Sequence, residues 1–360
     1  MNVAVLIGGR SPEHDVSIAS GRQVLEHIDR QRWAPWPVLL ERDGSWRASR
    51  LPLAPGQMWD PADDDCMHAP MRPGLTLDWL VDEAGVEVVF PVLHGAFGED
   101  GTVQGLLELY DLPFVGSSCA ASAVAMDKLR TRQVFAAGRV ETAPSYVPAD
   151  QASRDVSAEF GALKASVGTP AFAKVDVSGS TVGVSRIQCE EDLRAFFSGY
   201  GRSFRRWFAE GAVAGEEITV PVLGNAGAVP RALPVVGIYP VDDDWFTHDA
   251  KYRPGATEEV VPPRGLTAAQ LDEVQALAVR CHELLVCDGM SRTDMIYTAD
   301  GPVVLETNTI PGLTKNSLLP LSAAAAGISF PKLLDELLSC ALGRGLSPHV
   351  AAANAEAQRS

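Results

Sequence analysis

Asp294 lies in the segment Arg292-Thr-Asp-Met-Ile-Tyr297, and twelve residues further on Val303-Val-Leu-Glu306-Thr-Asn308 closes an apolar, strand-like run. That spacing predicts a hairpin. Glu306 and Asn308 are two apart on one strand and so share a face, and an antiparallel partner would set Asp294 beside them. Three oxygen-bearing side chains on one sheet face suit Mg²⁺, which prefers hard oxygen ligands and shares them with nucleotide phosphates. The same spacing also fits a polar outer face of a sheet, so other segments must decide between the two.

A chain of 360 residues calls for two or three packed units to hold such a face in place. Residues 3–7 are a β-branched run that ends at Gly8-Gly9, and residues 17–28 have helical spacing of apolar positions. The strand signal returns at 36–40 and 86–93, which predicts a parallel sheet with crossover helices over residues 1–117. Residues 55–73, rich in Pro and Asp, read as a surface loop. A second unit over 118–210 would hold a helix at 122–137, a strand at 171–174 and a glycine-serine loop. A third over 211–345 would hold strands at 218–223, 235–239 and 303–306 and a helix near 271–285. Residues 242–263, rich in Asp, Pro and Gly, read as a mobile loop, and 346–360 as a flexible tail.

Composition narrows the function classes. With 46 acidic against 30 basic residues, a net charge of -16 repels nucleic acid and anionic lipid. No apolar run reaches the length of a membrane span, and the N-terminus reads as a first strand rather than a signal peptide. Six cysteines without a C-x-x-C pair indicate neither a zinc knuckle nor a disulfide framework. A reducing cytoplasm fits this best. The Gly8-Gly9 turn lacks G-x-G-x-x-G, which argues against a dinucleotide-dependent dehydrogenase.

The stretch Leu305-Glu-Thr-Asn-Thr-Ile-Pro-Gly312-Leu-Thr314, with Arg292-Thr-Asp294 upstream, resembles the metal and oxyanion region of the D-alanine:D-alanine ligases of the ATP-grasp superfamily. Further matches follow in family order. They are Gly8-Gly-Arg-Ser-Pro-Glu13, His94-Gly-Ala-Phe-Gly-Glu99-Asp-Gly101, Met126-Asp-Lys128, Lys174 with Gly179-Ser180-Thr-Val-Gly183, Gly215-Glu-Glu217 and Ala250-Lys251-Tyr252. The resemblance implies an α/β, three-domain ATP-grasp fold with an N-terminal Rossmann-like parallel-sheet domain. It also implies ATP-dependent ligation of two D-alanines through an acyl phosphate for peptidoglycan synthesis, in a cytoplasmic homodimer. Two Mg²⁺ ions, replaceable by Mn²⁺, would be held by Asp294, Glu306 and Asn308, with Glu306 bridging.

The remaining roles carry over position by position. Lys128 and Lys174 match the lysines that reach the phosphates, and Ser180 lies in the glycine loop over them, while Lys251 adjoins the nucleotide. Glu210 matches an acceptor for the adenine amino group, with the backbone of Ala212 and Val213 at the ring edge. Glu217 matches the ribose acceptor, although Glu216 beside it fits as well. Glu13 would pair with the ammonium of the first D-alanine, and Ser317, the N–H of Leu318 and His94 with the carboxylate of the second. Arg292 and the N–H of Gly312 would form the oxyanion hole. Tyr252 would close with Ser180 and Glu13 as part of a lid, and tyrosine there favours the dipeptide. The amine proton has several candidate acceptors, among them Ser180, Tyr252 and the phosphate. Three departures stand out: Val175 where proline is usual, Thr181 where a second serine is common, and Thr293 where an aliphatic residue is usual. They keep open a paralogue using D-serine, D-lactate or another amino-acid acceptor, and also a nucleotide-binding module without turnover.

Overall fold

The structure, a computed structural model, describes residues 1–176, 183–200, 206–241 and 257–344. Strands β1 (Asn2–Gly8), β2 (Ala34–Leu40), β3 (Trp46–Ala48) and β4 (Val86–Leu93) make a sheet in the order β3-β2-β1-β4. β1 runs parallel to both β2 and β4, and β3 is an antiparallel edge. The apolar run of β1 is buried on both faces, as a central parallel strand requires. Helices α1 (His14–His27), α2 (Pro73–Asp82) and α3 (Thr102–Leu109) complete this unit. Chain order reverses between β1 and β4, so the loops after these two strands meet at a topological switch point, where open α/β sheets bind ligands. Those loops carry Glu13 and His94.

The helix expected at 122–137 is two helices, α4 (Cys119–Met126) and α5 (Lys128–Ala137). Asp127 breaks them: its backbone is extended, and its carboxylate accepts from the N–H of Arg130 at 3.0 Å to cap α5. Ala125 and Phe135 pack into the core of the third sheet, so this pair belongs with the large sheet described below rather than with the central unit expected at 118–210. The expected boundary at 210/211 also falls inside a strand.

The second sheet is antiparallel, formed by β5 (Ser145–Tyr146), β6 (Ala171–Val175), β7 (Val184–Ile187) and β8 (Trp207–Gly211) in the order β5-β8-β6-β7. One face packs Ala171, Ala173, Val175 and Ala209 under α6 (Val156–Val167) and α7 (Glu190–Tyr200). The third sheet runs β12-β11-β9-β13-β14, from β9 (Glu216–Leu223), β11 (Val236–Pro240), β12 (Thr257–Val260), β13 (Met290–Thr298) and β14 (Gly301–Asn308), with the short β10 (Arg231–Ala232) against β9. Its apolar face covers α8 (Ala268–Leu284).

After α9 (Leu318–Ala325), the last helix α10 (Phe330–Gly343) returns to the first sheet. Leu333, Leu334, Leu337 and Leu338 share a core with Val3, Val5 and Phe90.

Two loop expectations change. Residues 55–73 hold a short 3-10 turn, Asp64–Cys66, and are pinned by bridges Trp46↔Met71 and Ser49↔Met67, with Met67 and Trp59 buried. Of the loop expected at 242–263, Thr257–Val260 is an edge strand paired with β11. The stretch 242–256 lies outside the described residues, as does the expected tail. Among the described residues no helix is long and apolar enough to cross a membrane.

Candidate active site

The hairpin read from the sequence is β13–β14. Asp294 is paired in register with Glu306, and Arg292 with Asn308, which sets all four side chains on one face. A register shift follows Asp294, where Leu305 is the extra residue of a bulge; both Leu305 and Glu306 therefore line the cleft. Arg292 grips Asp294 through two bonds of 2.8 Å, and Asn308 Nδ2 donates to the same carboxylate at 3.3 Å. Thr219, opposite Asp294 on β9, donates to it at 2.5 Å. Burial works against the charge of Arg292, but Asp294 overcomes this and its pKa is raised.

Two carboxylates and one amide are too few to enclose a metal by themselves. Among the described residues no group of three His, Cys, Asp or Glu side chains is poised to hold one. The donor set nevertheless fits Mg²⁺, which keeps several waters and takes one or two carboxylates together with substrate phosphates.

Facing this surface across a cleft of about 620 Å³ is the second sheet. Its open face presents Phe172, Lys174 and Glu210, since Phe172 lies opposite Glu210 and two residues before Lys174. Lys128, on the first turn of α5, reaches Glu306 Oε2 at 2.7 Å. Burial disfavours its charge, yet Glu306 leaves its pKa raised. Val184, Val213, Ile238, Ile296 and Leu305 supply an apolar wall of the kind a flat ring needs.

Here the structure shows what surrounds three of the expected nucleotide-site positions. The carboxylate of Glu210 meets a cation at each oxygen: Arg132 holds Oε1 at 2.7 Å and Lys174 holds Oε2 at 2.5 Å. The N–H of Ala212 is engaged by the Pro170 carbonyl, at 3.1 Å, so of the expected ring-edge pair only Val213 lines the cleft. Glu216 is committed to the hydroxyl of Tyr239 and the N–H of Gly265, while Glu217 stands in register with Ile296 on the cleft face. Both glutamates line the cleft.

At the switch point Glu13 is buried against Gly95, where a Cβ would sit only 2.0 Å from Glu13 Oε2. Glu99 accepts from the N–H of Gly95 at 2.6 Å; burial, and then the charge of Glu13, push its pKa up to about 8. His94 was expected beside a substrate carboxylate. Burial pushes its pKa down to about 4, with a hydrogen bond to the Ile310 backbone working against this and Arg292 adding to it. Its Nε2 lies 3.3 Å from Ser20 Oγ.

Gly312 and Ser317 are neighbours, since a Cβ on the glycine would lie 2.7 Å from Ser317 Oγ. Ser317 precedes α9, so the N–H of Leu318 is in that helix's first turn, a favourable place for an anion. Ser317 Oγ is engaged within its loop, with the Thr314 N–H at 3.1 Å and the Thr314 hydroxyl at 2.7 Å.

Ser180, Thr181, Lys251 and Tyr252 lie outside the described residues. Sequence reasoning missed Thr219, Arg132 and any role for Glu99. Arg132 had a signal, being four residues after Lys128 on one helix. Thr219 had none, because its partnership depends on strand register.

Comparison with known proteins agrees with this geometry. The model described as the D-ala D-ala ligase N-terminus matches residues 2–117, and that of the D-ala D-ala ligase C-terminus matches 142–339. A D-alanine–D-alanine ligase of Syntrophobacter fumaroxidans is 37% identical over 95% of this chain and 98% of its own length. Among solved structures, the D-alanine–D-alanine ligase from Coxiella burnetii superposes with a TM-score of 0.77 at 26% identity, covering 100% of this chain and 99% of that one. The Bacillus anthracis D-alanine–D-alanine ligase, complexed with ATP, gives 0.70 at 26% identity over 95% and 97%. Matched at both ends and across the cleft between them, the chain belongs to the D-alanine–D-alanine ligase family and has the ATP-grasp fold.

Proposed function

We propose that this protein joins two D-alanines to D-alanyl-D-alanine at the expense of ATP, through an acyl phosphate, as a supplier of peptidoglycan precursors. The observation that carries the proposal is the pair of facing surfaces: Arg292, Asp294, Glu306 and Asn308 on one sheet, and Lys174 with Lys128 on the elements opposite.

A carboxylate repels nucleophiles and must be activated. Lys128 and Lys174 bind the ATP phosphates, the apolar wall with Val213 holds adenine, and Glu217 accepts from the ribose. Glu13 pairs with the ammonium of the first D-alanine and aims its carboxylate at the γ-phosphate. Asp294, Glu306 and Asn308 would hold Mg²⁺ as two ions, or Mn²⁺ in its place, which would supply neutralisation of the phosphate charge. When the second amine attacks, Arg292 and the N–H of Gly312 stabilise the oxyanion, a contribution typically worth about 3 kcal/mol per donor. Ser317 and the N–H of Leu318 hold the second carboxylate. Ser180, Lys251 and Tyr252 join this set through the family resemblance, with Tyr252 favouring the dipeptide. That resemblance also supports a homodimer in the cytoplasm, for which light scattering should return the mass of two chains.

The test is phosphate release from the purified protein with ATP, Mg²⁺ and D-alanine, with the product mass determined. Parallel arms carry L-alanine, D-serine and D-lactate. D-alanyl-D-alanine formed from D-alanine alone, with L-alanine inert, is the expected result. Turnover only with a second acceptor, or none with any, would overturn it.

A further inference from the structure

Glu210 is a buried carboxylate, its side chain 5% exposed, with one cation on each oxygen. A single charge needs a single partner, so one of the two cations can leave. Lys174 lines the cleft together with Glu210; Arg132 is not part of the cleft wall. Arg132 is instead anchored behind it, on α5, by a second guanidinium nitrogen that donates to the Ala143 carbonyl. A lysine there could not make both contacts, because only the planar fork offers two donors in fixed directions.

We propose that Arg132 is a positioning residue: it is the resident counter-ion of Glu210, which lets Lys174 leave that carboxylate for the nucleotide phosphates without stranding a buried charge. The inference rests on the reading of Lys174 as a phosphate ligand. Removing one member of a buried ion pair is strongly unfavourable because the other is left uncompensated. With Arg132 present, Glu210 stays paired whichever way Lys174 points. Without it, Lys174 is held on Glu210, and the cost of pulling it away appears as weaker nucleotide binding.

The experiment is a double-mutant cycle on the full chain with Arg132→Met, Glu210→Gln and the two combined. ATP affinity is measured by calorimetry with Mg²⁺, alongside kcat and the KM values for ATP and D-alanine. Arg132→Met should weaken ATP binding on the order of tenfold or more, about 1.4 kcal/mol, and raise the KM for ATP with that for D-alanine little changed. In the Glu210→Gln background the same substitution should have almost no effect, because a neutral amide has no charge to strand. If Arg132→Met alone proves too unstable to purify, Arg132→Lys takes its place in both backgrounds, with a loss between wild type and Met expected only where Glu210 is present. Equal losses in both backgrounds, or no loss in either, would overturn the inference and leave Arg132 a packing residue. A wild-type protein that bound no nucleotide would instead overturn the reading of Lys174.

Discussion

Thr293 and Val175 are two of the three positions where the sequence departs from the family pattern, Thr181 lying outside the described residues, and the structure gives each of the two a local packing reason. Thr293 points away from the cleft, fully buried, with its hydroxyl 3.0 Å from that of Thr307 directly opposite on β14. Val175 fills the space beside Gly183, where a Cβ would come within 2.5 Å of it. Neither residue is in the cleft wall. Thr293→Val alone should cost about 1–3 kcal/mol by orphaning Thr307, and Thr293→Val/Thr307→Val should be close to neutral. Denaturant titration reads both, and product analysis should show an unchanged acceptor. Gly95 is a sharper constraint, with φ +70° and the Glu13 carboxylate against its Cα. Gly95→Ala must displace Glu13, so kcat/KM for D-alanine should fall by at least about two orders of magnitude, as when a catalytic group is misplaced by an ångström.

At the scale of elements, α5 matters most, because it packs on the large sheet while its N-terminus serves the small one. Asp127 caps the helix and also takes Arg206 at 2.6 Å; the N–H of Lys128 donates to the Asp176 carbonyl at 2.9 Å. Arg206 in turn reaches Asp176 Oδ2 at 2.5 Å. Asp127→Ala removes the cap, worth about 1 kcal/mol, and loosens the turn that carries Lys128. Melting temperature should drop and the KM for ATP should rise, with Asp127→Asn, which retains a cap acceptor, recovering most of the stability. The break between α4 and α5 was not legible because no glycine or proline marks it. It depends on an aspartate that can either continue a helix or cap one, and that here is also held by Arg206, the residue before β8 and remote in the chain.

Taken as a whole, the described residues form three sheets joined by helices, and two buried histidines make the fold sensitive to acid. Burial pushes His282 down to about 4, where it sits between the Ser291 hydroxyl and the Gly224 carbonyl, and it does the same to His94. An unfolded histidine titrates near 6.5. Between that value and about 4 the unfolded chain binds protons at these two histidines that the folded one refuses, so their contribution is full above about 6.5 and falls as pH drops, while the single Glu99, raised to about 8, opposes it in part. The urea midpoint should decline from pH 7 to pH 5, and His282→Gln should shallow that slope.

By itself the sequence determined the chemistry and most of the elements. Residue type fixes which groups can ligate, pair or donate, and period-two spacing put Glu306 and Asn308 on one face before any fold was known. The parallel sheet of residues 1–117 was legible for the same local reason, from β-branched runs between helical ones. Tertiary structure alone decided the surroundings: that each oxygen of Glu210 meets a cation, that the Ala212 N–H donates to the Pro170 carbonyl, that Glu216 meets the Tyr239 hydroxyl and that His94 is buried. It also decided that Leu305 bulges and that α10 returns to the first sheet. Each of these depends on which remote atoms are brought within about 3 Å and which are removed from water. Such distances are set when the sheets pack, not by the order of residues along any one strand.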